Sequence, residues 1–70
     1  MIPLVFAEIG SDTVIKKVGG NPELKRHLED MGIVAGSTVG VVSQTAGNVI
    51  LNVKDVRVAI SREMAMKIMI

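Results

Sequence analysis

The sequence predicts one small, mainly β domain that contains a single well-marked α-helix. Three observations lead to this fold class. A segment with clear helix start and stop signals follows Gly19-Gly20, and apolar residues alternate with polar ones through most of the second half. The chain has only 70 residues, which is enough for one compact core and one domain, spanning residues 1–70.

The helix is predicted directly after Asn21. This asparagine is a suitable N-cap, and Pro22 suits the first helical position, where its missing N–H has no intrahelical partner in any case. Gly32 sits where a left-handed residue is needed to end the helix, so a side chain there would be penalised. Three apolar residues spaced at i, i+4 and i+7 form one face of this helix: Leu24, Leu28 and Met31.

Beyond the helix, alternation predicts a three-stranded antiparallel meander. A two-residue turn at Lys54-Asp55 places Val53 opposite Val56 and puts the apolar residues of both strands on one face. A slip of one residue would destroy this match, so the register is well specified. We expect an inward face that consists of Val39, Val41, Val49, Leu51, Val53, Val56, Val58 and Ile60.

The first hairpin of the meander is predicted to turn at Gln44-Thr45-Ala46-Gly47. These residues suit a type I turn followed by a left-handed Gly47, the three-residue loop that ends in a bulge. The resulting register sets Val41 opposite Leu51 and Val39 opposite Val53.

The remaining segments complete a small barrel. Pro3 suits an edge position because it cannot donate a ladder hydrogen bond, and the β-branched segment Thr13–Val18 predicts the first strand. Ser61 can cap one helical turn over 62–65, and residues 67–70 form a short last strand. This order predicts a five-stranded SH3-like barrel, whose closure removes exposed strand edges.

Composition excludes several classes of function. The net charge is only +1 and no basic run exists, while Phe6 is the sole aromatic residue, so a nucleic-acid site is not expected. The chain lacks cysteine, which excludes thiolate metal sites and thiol redox chemistry. Neither a membrane span nor a signal peptide is evident, and we expect a small soluble domain of the cytoplasm.

Two clusters deserve comparison with metal sites. Glu23, His27 and Asp30 share a helix face at i, i+4 and i+7, but three ligands on one helix cannot surround an ion, so a solvated face is the preferred interpretation. The methionines near the end are more typical of core packing or an adaptable contact surface: Met64, Met66 and Met69. We therefore expect no catalytic residues, no cofactor and no metal site.

The chain resembles the ferrous iron transport protein A family, FeoA, over nearly its whole length. The resemblance lies in Leu28-x-x-Met31-Gly32-Ile33-x-x-Gly36-x-x-Val39 and in a tail that ends Ala65-x-x-Ile68-x-Ile70. Ala35 departs from the family pattern, in which proline is frequent at this position. The motif residues are interpreted as structural: Leu28, Met31, Gly32, Gly36, Gly47, Ala65 and Ile68.

The resemblance implies a small cytosolic SH3-like barrel that associates with the cytosolic part of the membrane ferrous-iron transporter FeoB. It implies no enzymatic activity. A related barrel occurs as the C-terminal module of iron- and manganese-dependent repressors, so an iron sensor or carrier that binds metal itself is the alternative hypothesis.

A partner surface is predicted from apolar residues that have no obvious internal place. Val34 and the methionines at 64 and 66 lie outside the predicted inward face, and exposed apolar patches on small domains commonly mark partner sites. We expect this site to be bordered by a loop and by the turn before the last strand, with weak self-association when the partner is absent. The predicted site residues are Ile33, Val34, Ala35, Gly36, Ser37, Met64 and Met66.

Overall fold

In the computed structural model all 70 residues are described, and they form six strands and two α-helices. The elements are β1 (Asp12–Val14), β2 (Lys17–Val18), α1 (Pro22–Asp30), β3 (Thr38–Gln44), β4 (Asn48–Val53), β5 (Val56–Ser61), α2 (Arg62–Met66) and β6 (Ile68–Met69). A four-stranded sheet has the order β1-β3-β4-β5, and β2 pairs with β6 in a second sheet. The mainly β fold with a helix on either side of the meander is confirmed. The closed five-stranded barrel is wrong, because β5 pairs only with β4 and leaves the larger sheet open.

Helix α1 has the predicted boundaries. The Asn21 side chain accepts a hydrogen bond from the Leu24 N–H at 2.7 Å, which caps the first turn. At the other end Gly32 has φ +82°. The Gly32 N–H donates to the Glu29 carbonyl and the Ile33 N–H to the Leu28 carbonyl, both at 2.9 Å, which is the Schellman motif. Leu28 and Ile33 are both fully buried, so the helix end is also packed.

The meander has the predicted registers. Val53 pairs with Val56 across a two-residue turn, and Val41 pairs with Leu51 in the neighbouring hairpin. Lys54 and Asp55 both have positive φ, 50° and 64°, as a type I′ turn requires. The predicted inward face holds except at its end: Val56 is 59% exposed at the start of β5, the edge strand of the larger sheet, whereas its partner Val53 on the internal strand β4 is buried.

The first hairpin closes differently from the prediction. Gly47 is not among the residues with positive φ, and the bulge lies within β3, between Val41 and Ser43. Thr45 closes the loop instead, because its N–H donates to the Asn48 carbonyl at 2.9 Å and its hydroxyl accepts from the Asn48 N–H at 3.1 Å. The residue that forms the bulge therefore lies inside strand β3 and not at a left-handed glycine in the loop.

The predicted strand Thr13–Val18 is split in two. Its first part, β1, pairs with β3, while β2 pairs with β6. Ile15 lies at the division: its N–H donates to the Ser37 carbonyl at 2.9 Å and its side chain is 1% exposed. The backbone N–H of the next residue, Lys16, donates to the Met69 carbonyl at 2.8 Å. The segment cannot remain one strand because it changes partners after Ile15.

The two chain ends are tied together. Ile2 and Ile70 exchange two backbone hydrogen bonds, at 3.0 and 2.8 Å, and Pro3 forms an isolated bridge to Met69. A 3-10 turn follows over Leu4–Phe6. The last strand is shorter than predicted, since only Ile68–Met69 form the ladder with β2.

One apolar core joins all these elements. It includes residues from the N-terminal turn, from both helices and from both sheets, and it contains no buried polar residue. Its buried members are Leu4, Val5, Ile15, Leu28, Ile33, Val39, Val41, Val49, Leu51, Val53, Ile60, Ala65 and Ile68.

None of the helices is long and apolar enough to cross a membrane.

Candidate partner-binding surfaces

The loop after α1 is a tight turn at residues 34–37, and it is hydrogen-bonded to the segment between β1 and β2. The Ser37 N–H donates to the Val34 carbonyl at 3.0 Å, and Gly36 has φ +91° at the third position, as in a type II turn. The Gly36 N–H donates to the Ile15 carbonyl at 2.7 Å. Of the predicted contact residues in this loop, Ile33 is fully buried and serves the core, whereas Val34 and Ala35 are exposed.

This loop forms one wall of a groove that we name the basic groove. Strand β2 and helix α1 supply the other walls, and the groove encloses about 290 Å³. Three lysines line it with one glutamate, and the lysine side chains are exposed. The side-chain hydrogen bonds of the structure involve no lysine ammonium group. The lining residues are Lys16, Lys17, Val18, Lys25, Glu29, Ile33, Val34 and Ala35.

Sequence reasoning missed this groove. Lys16 and Lys17 interrupt the alternation of the predicted strand, and Lys25 lies in helix α1, eight residues after Lys17. Because the strand is divided, all three lysines line the basic groove. The signal in the sequence was the pair of lysines at the point where the alternation fails.

The second surface lies beside α2, and we name it the apolar depression. It encloses about 500 Å³. Phe6 is 65% exposed there and Met66 is 41% exposed. Met64 is half-buried and packs against the core, so it belongs to the fold more than to the surface. The lining residues are Phe6, Ala46, Gly47, Ser61, Arg62, Glu63 and Met66.

Two hydrogen bonds fix the elements that line the depression. The Ser61 hydroxyl accepts from the Met64 N–H at 3.1 Å, which confirms the predicted cap of α2. The Arg62 N–H donates to the Gly47 carbonyl at 3.1 Å and ties this helix to the first hairpin loop. Phe6 was not predicted as a contact residue, although it is the only aromatic side chain and is exposed.

The two surfaces share no lining residue. The loop and the turn before the last strand, predicted to border one site, therefore line separate concavities. The remaining motif residues have backbone or core positions. Leu28, Ala65 and Ile68 are fully buried, and Met31 is half-buried against the core. Gly47 is exposed and needs no special conformation.

The candidate metal ligands on α1 are not gathered around one point. Glu23 and His27 line a shallow concavity with Asn21 and Leu24, and Asp30 is not part of it. The structure contains no group of three or more histidine, cysteine, aspartate or glutamate side chains positioned to hold a metal ion.

Comparison with known proteins places the whole chain in one group. The FeoA domain model matches residues 2–70. Fe(2+) transport protein A of Methanocaldococcus jannaschii is 39% identical over 70 residues, which are 100% of this chain and 85% of that protein.

Solved structures agree with this match. A crystal structure described as iron uptake regulatory protein (FeoA) superposes with a TM-score of 0.87 and 25% identity, covering 96% of this chain and 91% of that one. A manganese-dependent transcriptional repressor has the same fold over 94% of this chain, at TM-score 0.85 and 19% identity, but only 38% of the repressor is covered. The resemblance seen in the sequence is thus confirmed, and the chain belongs to the FeoA domain family.

Proposed function

We propose that this chain is a cytosolic, non-enzymatic accessory protein of ferrous iron uptake, which acts by docking on the cytosolic part of the transporter FeoB. The observation that carries the proposal is the FeoA family match over residues 2–70, together with the relative named for Fe(2+) transport. The surface adds support, because three exposed apolar side chains, Phe6, Val34 and Met66, line concavities.

The two surfaces offer different contact chemistry. In the apolar depression, Phe6 presents an aromatic ring and Met66 a flexible thioether, and both side-chain types suit the centre of an interface. In the basic groove, Val34 is 38% exposed at the rim of a positively charged wall. Docking through one or both surfaces would leave the core untouched.

The test is calorimetry of the full chain with the purified cytosolic region of FeoB. Two variants remove exposed apolar contacts, Val34→Ser in the groove and Met66→Ser in the depression. Val56→Ser is the matched control, because Val56 is 59% exposed and lines neither surface. We expect binding by the wild type and the control, and a loss of about 1 kcal/mol or more in at least one of the other variants.

Absence of binding by the wild-type chain contradicts the proposal. The same calorimeter separates it from the alternative of an iron sensor or carrier. One tight, stoichiometric Fe²⁺ site that is lost in His27→Ala would favour that alternative, whereas weak binding without defined stoichiometry supports the docking function.

A further inference from the structure

The basic groove has more positive charge than the chain as a whole. Three ammonium groups and one carboxylate line it, a local net charge of +2 in a chain whose total is +1. No ammonium group takes part in a side-chain hydrogen bond within the protein. Lys16, Lys17 and Lys25 therefore have their bonding capacity free for a ligand.

The walls of the groove come from segments that are distant in sequence but fixed in space. Lys17 lies in the ladder with β6, opposite Met69. Lys25 projects from α1, and its N–H donates to the Asn21 carbonyl at 3.0 Å. Because both backbones are hydrogen-bonded, the positive charges are held on a rigid frame, and binding needs to order only the side chains.

The other half of the lining is apolar. Val34 and Ala35 are exposed on the loop, Val18 is half-buried, and Ile33 forms a fully buried floor. An apolar side chain placed against them loses contact with water, which is favourable in proportion to the area covered. The groove thus combines positive charge with apolar surface in one concavity.

We propose that the basic groove binds an acidic segment of a partner protein, in which carboxylates meet the lysines and an apolar side chain packs on Val34 and Ala35. This inference rests on the proposed docking function and specifies the chemistry of the contact. Charge complementarity carries it: an ammonium group pairs with a carboxylate as a point charge and sets on-rate and orientation.

A polyanionic surface fits the groove less well than such a segment. Glu29 contributes a negative charge to the lining and repels any anion placed close to it, so the groove favours an occupant with few, separated carboxylates over a dense array of phosphates. The apolar half of the lining provides neither a hydrogen bond nor a charge for a phosphate or a lipid headgroup. A protein segment that mixes acidic and apolar residues matches both halves.

The experiment uses a fluorescent peptide of glutamates and leucines, a second peptide with glutamine in place of glutamate, and vesicles of phosphatidylcholine with or without phosphatidylserine. The full chain is compared with the charge-reversed variant Lys17→Glu/Lys25→Glu. The matched control, Lys54→Glu/Arg57→Glu, has the same change in net charge, but its substitutions lie outside the groove.

We expect the acidic peptide to bind the wild type and the control. Binding should weaken about tenfold or more in the groove variant and decrease as salt is added. The glutamine peptide should bind at least about tenfold more weakly than the acidic one. Equal binding of the acidic peptide by both variants, or binding to phosphatidylserine vesicles without binding to the peptide, overturns the proposal.

The cytosolic region of FeoB distinguishes this inference from the proposed function. If it binds the wild type and the groove variant equally, the groove assignment is overturned and docking elsewhere stands. If it binds neither, the docking function fails, and because the inference rests on that function it fails too.

Discussion

The β4–β5 hairpin and the segment Asp12–Val18 have similar β-branched sequences but are built in different ways. In the hairpin, each pair from Val53–Val56 to Val49–Ile60 follows from alternation around one two-residue turn. In the segment, three residues pair with β3 and two with β6. Contacts near in sequence determine the first region, whereas partners distant in sequence determine the second, and the second carries the basic groove.

The largest expected effect tests the core position of Ile15, the residue at which the segment divides. This side chain is 1% exposed, so Ile15→Ala removes buried methyl groups and leaves a cavity, and we expect a loss of about 2–4 kcal/mol in the free energy of unfolding. The neighbour Val14 is 50% exposed, and Val14→Ala should cost less than about 1 kcal/mol. Chemical denaturation measures both. Equal losses would contradict the core position of Ile15 at the point where the segment changes partners.

A smaller loss is expected at the end of α1. Gly32 has φ +82°, and a Cβ atom there would lie 3.4 Å from a methyl group of Val53. Gly32→Val places a β-branched residue in the left-handed region, so we expect a loss of at least about 1–2 kcal/mol. Gly47→Val is the control, because Gly47 lacks a positive φ and its Cβ position is open. An unchanged melting temperature for Gly32→Val contradicts the Schellman end.

The hairpin can be strengthened locally. Lys54 and Asp55 adopt positive φ without being glycine. The double variant Lys54→Asn/Asp55→Gly supplies the pair that type I′ turns prefer, and we expect a gain of about 1 kcal/mol. If the double variant is less stable than the wild type, the turn is not the local determinant that we describe.

The smallest effect concerns Ala35, where proline is frequent in the family pattern. Its N–H takes part in no backbone hydrogen bond, and it occupies the second position of the type II turn, which proline favours. Ala35→Pro should therefore raise stability by about 0.4–1 kcal/mol by restricting the unfolded chain. Ser37→Pro removes an N–H that donates to the Val34 carbonyl, so it should destabilise. The reverse order of the two melting temperatures would exclude this turn.

The features that could be predicted from the sequence are those that depend on contacts near in sequence. The helix caps at Asn21 and Gly32 and the turn at Lys54-Asp55 were predictable because each depends on residues within one turn. The bulge in β3 could not be predicted in this way. The Thr45 hydroxyl closes the hairpin loop by accepting from the Asn48 N–H, so Gly47 does not need the left-handed conformation that was expected.

The basic groove was not predictable for a related reason. Lys16 and Lys25 line one groove because β2 pairs with the last strand and helix α1 supplies another wall of the same groove. An apolar pattern specifies which face is inward, but it does not specify which distant strand becomes the neighbour. Val34 is exposed, as expected, whereas the lysines that line the same groove were not among the predicted contact residues.

The most direct test of docking through the basic groove is a titration of the ¹⁵N-labelled chain with the cytosolic region of FeoB, followed by amide chemical shifts. We expect shift changes at residues 16–18, at Lys25 and at residues 34–37, which surround the basic groove, and no change at the Lys54-Asp55 turn. Changes confined to that turn, or no changes at a saturating concentration of the transporter region, would contradict docking through this groove.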